Sequence, residues 1–207
     1  MMSFTDWTGL SGLALVWVLL VLRLSIISRL RMSKSILLIA ATYGLVMLPV
    51  FDLSLAGWLR GMVGDLSITS VLLLAAALLL RLRRLAGGQA ESGWDARNRY
   101  SLLLFLSVLA VLLYPFALGI GILDPYRSGF GSIGFILILA LLSLWALRRG
   151  LVLLPLAIAL AVTAWSLNWY ESTNLWDYLI DVPLAVYAIC ALLKTLLLII
   201  VRRGKRA

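Results

Sequence analysis

The side chains best placed for chemistry crowd into one segment, from Asn168 to Asp181, where Glu171, Asp177 and Asp181 stand among Trp169, Tyr170, Trp176 and Tyr178. Carboxylates of this kind accept hydrogen bonds, hold cations or move protons. Asp177 and Asp181 are four residues apart, the spacing that puts two side chains on one face of a helix. Leu175, Leu179 and Val182 give that helix an apolar face, and Asn168 and Asn174 add amide groups. Two readings follow. In one, the carboxylates form an outward polar site for a headgroup, a cation or a partner protein. In the other, Thr173 or Asn174 caps a short helix, Asp177 complements its positive end, and the aromatic residues form an interfacial belt.

Two other segments carry polar groups between apolar runs. Residues 119–134 include Asp124-Pro-Tyr-Arg127 and the spacing Gly129-x-Gly131-x-x-Gly134. The glycines match the dinucleotide fingerprint in form only, because no strand precedes them. Ser132 and the free N–H groups of the following helix, beside Arg127, could hold a lipid phosphate, and a plain turn at Asp124–Arg127 is the simpler reading. Residues 51–65 place Leu55, Leu59, Met62 and Val63 at helical spacing, with Asp52, Arg60 and Asp65 between or beside them. That pattern predicts a short amphipathic helix in the membrane interface, begun by Asp52 as N-cap, with Trp58 at headgroup level.

Other chemistries lack their residues. The chain has no histidine and one cysteine, Cys190. This excludes Ser–His pairs, His-ligated zinc and dithiol redox chemistry within the chain. Lys194 has Cys190 one turn before it and the third apolar run holds no carboxylate, so a retinal-type lysine and counter-ion pair is absent. No cofactor or metal is expected.

The elements that must position these groups are set by composition. Hydrophobic residues make up 63% of the 207 and charged residues 13%, with mean hydropathy +1.07. A soluble domain carries about 25% charged residues, so lipid is the expected solvent. Runs long enough for helices in lipid lie at residues 10–27, 35–50, 66–80, 100–120, 133–147, 151–169 and 182–201. The first run lacks a basic leader and is expected as a retained span. Pro49 and Pro115 fall near the ends of the second and fourth runs, where proline can bend a helix. The expectation is an all-α integral membrane protein, a single domain of about seven transmembrane helices with short interfacial helices on its outer face.

Charge assigns the faces. The net charge is +9. With seven spans, every basic residue except Arg60 and Arg127 falls on one side, counting Arg23 and Lys194 as snorkelling there. Every acidic residue except Glu91 and Asp95 falls on the other. The positive-inside rule then places the N-terminus outside, the C-terminus in the cytoplasm, and a flexible cytoplasmic loop at residues 81–99. Basic residues sorted in this way mark loops, not a nucleic-acid surface. The short basic loops and Leu/Ala/Arg-rich composition point to a bacterial inner membrane.

The function expected from these features is that of a non-catalytic subunit or accessory factor in cell-envelope lipid or glycan assembly. Its partners would be membrane lipids and another membrane or periplasmic protein. The alternatives are a small transporter or substrate-binding membrane component, and an outward-facing lipid-modifying transferase. Candidate site residues are Asp124, Arg127, Asn168, Glu171, Asn174, Asp177 and Asp181, with Asp52, Arg60 and Asp65 as a second set.

Overall fold

The computed structural model describes residues 3–24, 32–50, 52–87 and 95–204, with side chains described as far as residue 201. The elements in order are α1 (Phe4–Arg23), α2 (Met32–Met47), β1 (Pro49–Val50), β2 (Leu53–Ser54), α3 (Leu55–Val63), α4 (Ile68–Leu85) and α5 (Ala96–Ala117). A 3-10 turn (Pro125–Gly129) follows, then α6 (Ile133–Arg148), α7 (Leu153–Ser166), α8 (Leu175–Leu179) and α9 (Val182–Gly204). Helices α1 and α5 and residues Val182–Val201 of α9 are long and apolar enough to cross a membrane, and α2, α6 and α7 are apolar but shorter.

Local signals explain the boundaries. Ser3 caps α1 and exchanges hydrogen bonds with Asp6 in a reciprocal capping box. Gly150, at φ 72°, ends α6: its N–H reaches Leu147 O at 2.9 Å and Leu151 N–H reaches Ala146 O at 2.9 Å. That left-handed stop turns the chain straight into α7.

Several expectations are corrected. Asp52 does not cap the interfacial helix. It sits at φ 69° in the turn of a two-residue hairpin in which Pro49 pairs with Ser54 and Val50 with Leu53. Ser54 is the cap, accepting from Gly57 N–H at 3.0 Å. Pro49 therefore lies beyond α2 and bends nothing, whereas Pro115 is inside α5. The loop expected at 81–99 is shorter than its charge suggests. Arginine is a good helix former and favours the last turn, so α4 runs through Arg81, Arg83 and Arg84, and Asp95 starts α5 ahead of Arg97 and Arg99. The hydrogen bonds from Asn98 hold the Asp95 carboxyl below its ordinary range. Arg29, Arg31, Phe51, the stretch 88–94 with Glu91, the end of the first apolar run, Lys205 and Arg206 lie outside the described residues.

Helix α7 is central, packing on α4, α5, α6 and α8, while α1 packs on α2, α3 and α4, and α5 on α9. Ala157, Ala161 and Ala164 are buried along α7, and small residues at that spacing let neighbouring helices approach closely. Contacts sort the helix ends into two faces. The starts of α1, α4 and α9, the ends of α5 and α7, and α3 and α8 meet at an acidic end. At the opposite, basic end, Asn98 Oδ1 accepts from Val152 and Leu153 N–H at 2.7 and 3.0 Å, so the start of α5 caps α7.

Candidate functional site

The acidic end is built around Asp181. Asp177 and Asp181 do not share a helix face, because Ile180 is extended between them and closes α8. Asp181 begins α9 instead. Its Oδ1 accepts from Leu184 N–H at 2.7 Å, the geometry of an N-cap, with Pro183 in the first turn. Its Oδ2 accepts from Ser67 N–H at 2.7 Å and from Ser70 Oγ–H at 2.5 Å, at the start of α4. One buried carboxylate thus takes a backbone N–H at the start of each of two helices, together with the Ser70 hydroxyl.

Asn174 caps α8 through Oδ1, which accepts from Trp176 N–H at 3.0 Å. Its amide Nδ2 donates to Tyr126 O at 2.9 Å, tying α8 to the 3-10 turn. Trp176 Nε1–H donates to Pro125 O at 3.0 Å, and the indole stacks on Phe135 with ring centres 4.7 Å apart. Gly129 is required here, since a Cβ would stand 1.8 Å from Asn174 Oδ1. Asp177 Oδ2 accepts from Ser172 Oγ–H at 2.5 Å and Tyr126 O–H at 2.9 Å. Burial, then the charge of Asp177, pushes the Tyr126 hydroxyl up to about 12. Burial likewise raises the Tyr170 and Tyr178 hydroxyls. Tyr178, fully buried, donates to Ser172 O at 2.9 Å and accepts from Tyr170 N–H at 3.1 Å.

Arg60 anchors a second cluster. Its Nε and Nη2 donate to the two Asp65 oxygens at 2.7 and 2.9 Å, a bidentate fork, and Nη1 donates to Asp6 Oδ1 at 2.7 Å. Glu171 lies 3.9 Å away and is largely exposed. Asp65 first, then Asp6, raise the affinity of Arg60 for its proton, so this cation stays charged. Gly9 makes room for Asp65, whose Oδ1 would be 2.2 Å from a Cβ there. Thr8 Oγ1–H donates to Trp169 O at 2.7 Å, which docks α1 on the loop before α8.

A cavity of about 350 Å³ lies between these clusters, walled by Asp65, Asp177 and Asp181 and by Tyr114, Tyr126 and Tyr170. The structure brings those three carboxylates together and disperses the other expected site residues. Asp124 is spent on the 3-10 turn, accepting from Arg127 N–H at 3.3 Å, and Arg127 points outward. Asn168, at φ 50°, is the left-handed residue that ends α7, with Trp169 N–H on Ala164 O at 3.0 Å. Ser132 precedes α6 without capping it. Tyr114, Tyr126 and Ser172 escape sequence reasoning because neither spacing nor charge marks them. Among the described residues no three acidic or thiol groups converge as a metal would require. The arrangement offers acceptors and ring faces to a cationic or hydroxyl-rich group.

Comparison of the sequence with protein-family models and curated proteins, and of the fold with solved structures, gives no match.

Proposed function

We propose that this chain is a seven-span protein of a bacterial inner membrane, with its N-terminus outside and its C-terminus in the cytoplasm. It acts as a non-catalytic accessory subunit in envelope lipid or glycan assembly. Its outward pocket receives an ammonium or hydroxyl-bearing group of a lipid headgroup or partner protein. The separation of basic and acidic helix ends supports the orientation. The observation that carries the non-catalytic reading is the use of Asp65, Asp177 and Asp181. Asp65 and Asp181 spend both oxygens on groups of the fold and Asp177 spends Oδ2, which supports a fixed acceptor wall in which Asp177 Oδ1 is the oxygen left to meet a bound ammonium or hydroxyl.

The test is affinity purification of the full chain from native membranes in mild detergent. An envelope-assembly protein or lipid-linked intermediate should co-purify, and Tyr126→Phe or Asp177→Asn should reduce its retention while the chain stays monodisperse. Recovery with bulk phospholipid alone would end this reading.

A further inference from the structure

A second cavity, of about 510 Å³, lies in the gap between α4 and the α5–α9 pair, running from Ser70 and Pro183, beside Asp181, to the basic end. It follows one stripe of α4: Ser70, Leu73, Ala77, Leu80 and Arg84. At 1.5 Å per residue the stripe is about 21 Å long, most of the thickness of a bilayer core. Leu102 and Leu103 of α5 and Tyr187 of α9 face it. One end differs from the rest. Arg23, Arg84 and Arg99, from the ends of three different helices, all line it there. Among the described residues the ion pairs within 4.0 Å are those of Arg60, so no described carboxylate neutralises these arginines.

From this we infer that the groove holds one anionic glycerophospholipid of the leaflet that meets the basic end, its phosphate on Arg23, Arg84 and Arg99 and an acyl chain along α4. Charge complementarity selects the occupant. Guanidinium forks match phosphate oxygens, and a basic pocket between membrane helices is where anionic headgroups gain most. Between Ser70 and Arg84 the α4 stripe is Leu73, Ala77 and Leu80, an apolar track that matches a hydrocarbon chain. The inference does not rest on the proposal for the acidic pocket: the arginines that select the headgroup are at the opposite end of the helices from Asp177 and Tyr126.

Native mass spectrometry of the detergent-solubilised full chain tests it, with phosphatidylglycerol and phosphatidylcholine of matched acyl chains as probes. One phosphatidylglycerol per chain should be retained, with a preference over phosphatidylcholine of about tenfold. Arg84→Gln with Arg99→Gln should abolish the preference. Arg148→Gln with Arg149→Gln removes the same charge at the same end but on α6, away from the groove, and should preserve it. Ala77→Phe, which fills an open stretch of groove and leaves the arginines in place, should remove the retained lipid. Equal retention of the two lipids, a preference surviving Arg84→Gln with Arg99→Gln, or no effect of Ala77→Phe would each overturn the inference. So would a photo-crosslinker at residue 77 that captures a polypeptide in native membranes in place of lipid.

Discussion

Asp181 and Ser67, 114 positions apart, are joined by a 2.7 Å hydrogen bond from the Ser67 amide to Asp181 Oδ2. The carboxylate that starts α9 therefore also closes the start of α4. Replacing it by alanine leaves two amides and the Ser70 hydroxyl without their acceptor in a buried site. We expect Asp181→Ala to lower stability by about 3 kcal/mol, and Asp181→Asn, which keeps one acceptor oxygen, by roughly half as much. Unfolding midpoints in detergent would measure both. Equal effects would mean that charge, not acceptor geometry, sets the contribution.

Arg60 faces Asp65, Asp6 and Glu171, so its removal leaves like charges close together without a counter-ion. Partial burial puts the cost between that of an exposed and a buried pair, and Arg60→Ala should destabilise by about 2 kcal/mol. Lysine keeps the charge but cannot reproduce the fork to Asp65, so Arg60→Lys should recover less than half of the loss. Full recovery by lysine, read from the same midpoints, would contradict the bidentate account.

The raised Tyr126 hydroxyl makes a pH prediction. The folded protein holds this proton more tightly than the unfolded chain, where tyrosine ionises near 10. Its contribution to stability is therefore complete below pH 10 and is lost as pH rises from 10 towards 12. An ultraviolet difference titration of the unmodified chain against Tyr126→Phe should show one tyrosine ionising late in that window. A difference spectrum centred near 10 would show that neither burial nor Asp177 acts on it.

Two glycines of the apparent dinucleotide fingerprint should respond in opposite ways. At Gly129 a Cβ collides with Asn174 Oδ1, itself fixed by the bonds that cap α8 and hold the 3-10 turn, so Gly129→Ala should cost about 2 kcal/mol. At Gly134 the nearest atom is 3.8 Å away, within the first turn of α6. Gly134→Ala should be neutral or slightly stabilising, since alanine loses less backbone entropy in a helix. Similar losses at both positions would point to a constraint shared by the motif, such as a bound phosphate.

The proposed orientation is checked by protease accessibility. With seven spans the termini lie on opposite sides. A tag ahead of Met1 should be cut by protease added to spheroplasts, whose inner membrane is intact and exposed, and one after Ala207 should be protected. Cleavage of both tags would require an even number of crossings.

Residue order alone specified the helical runs and their two-faced charge pattern, because hydropathy and charge act on each segment independently. Local chemistry within one turn was also legible: a cap for α8 at Thr173 or Asn174, which the structure assigns to Asn174, and Pro183 in the first turn of α9. Tertiary structure decided which polar groups meet. The α4–α9 link through Asp181, the capping of α7 by Asn98 and the Arg60–Asp6 pair each join positions 54 or more apart. No periodicity encodes such pairs; they depend on which helices pack side by side. The same packing moved Asp181 off the face expected for Asp177, while Asn168 became the stop of α7 and Asp124 the cap that starts the 3-10 turn. A carboxylate or amide has the same hydrogen-bonding capacity in either role, and the nearest unsatisfied backbone donor, known only once the chain is folded, determines which role it takes.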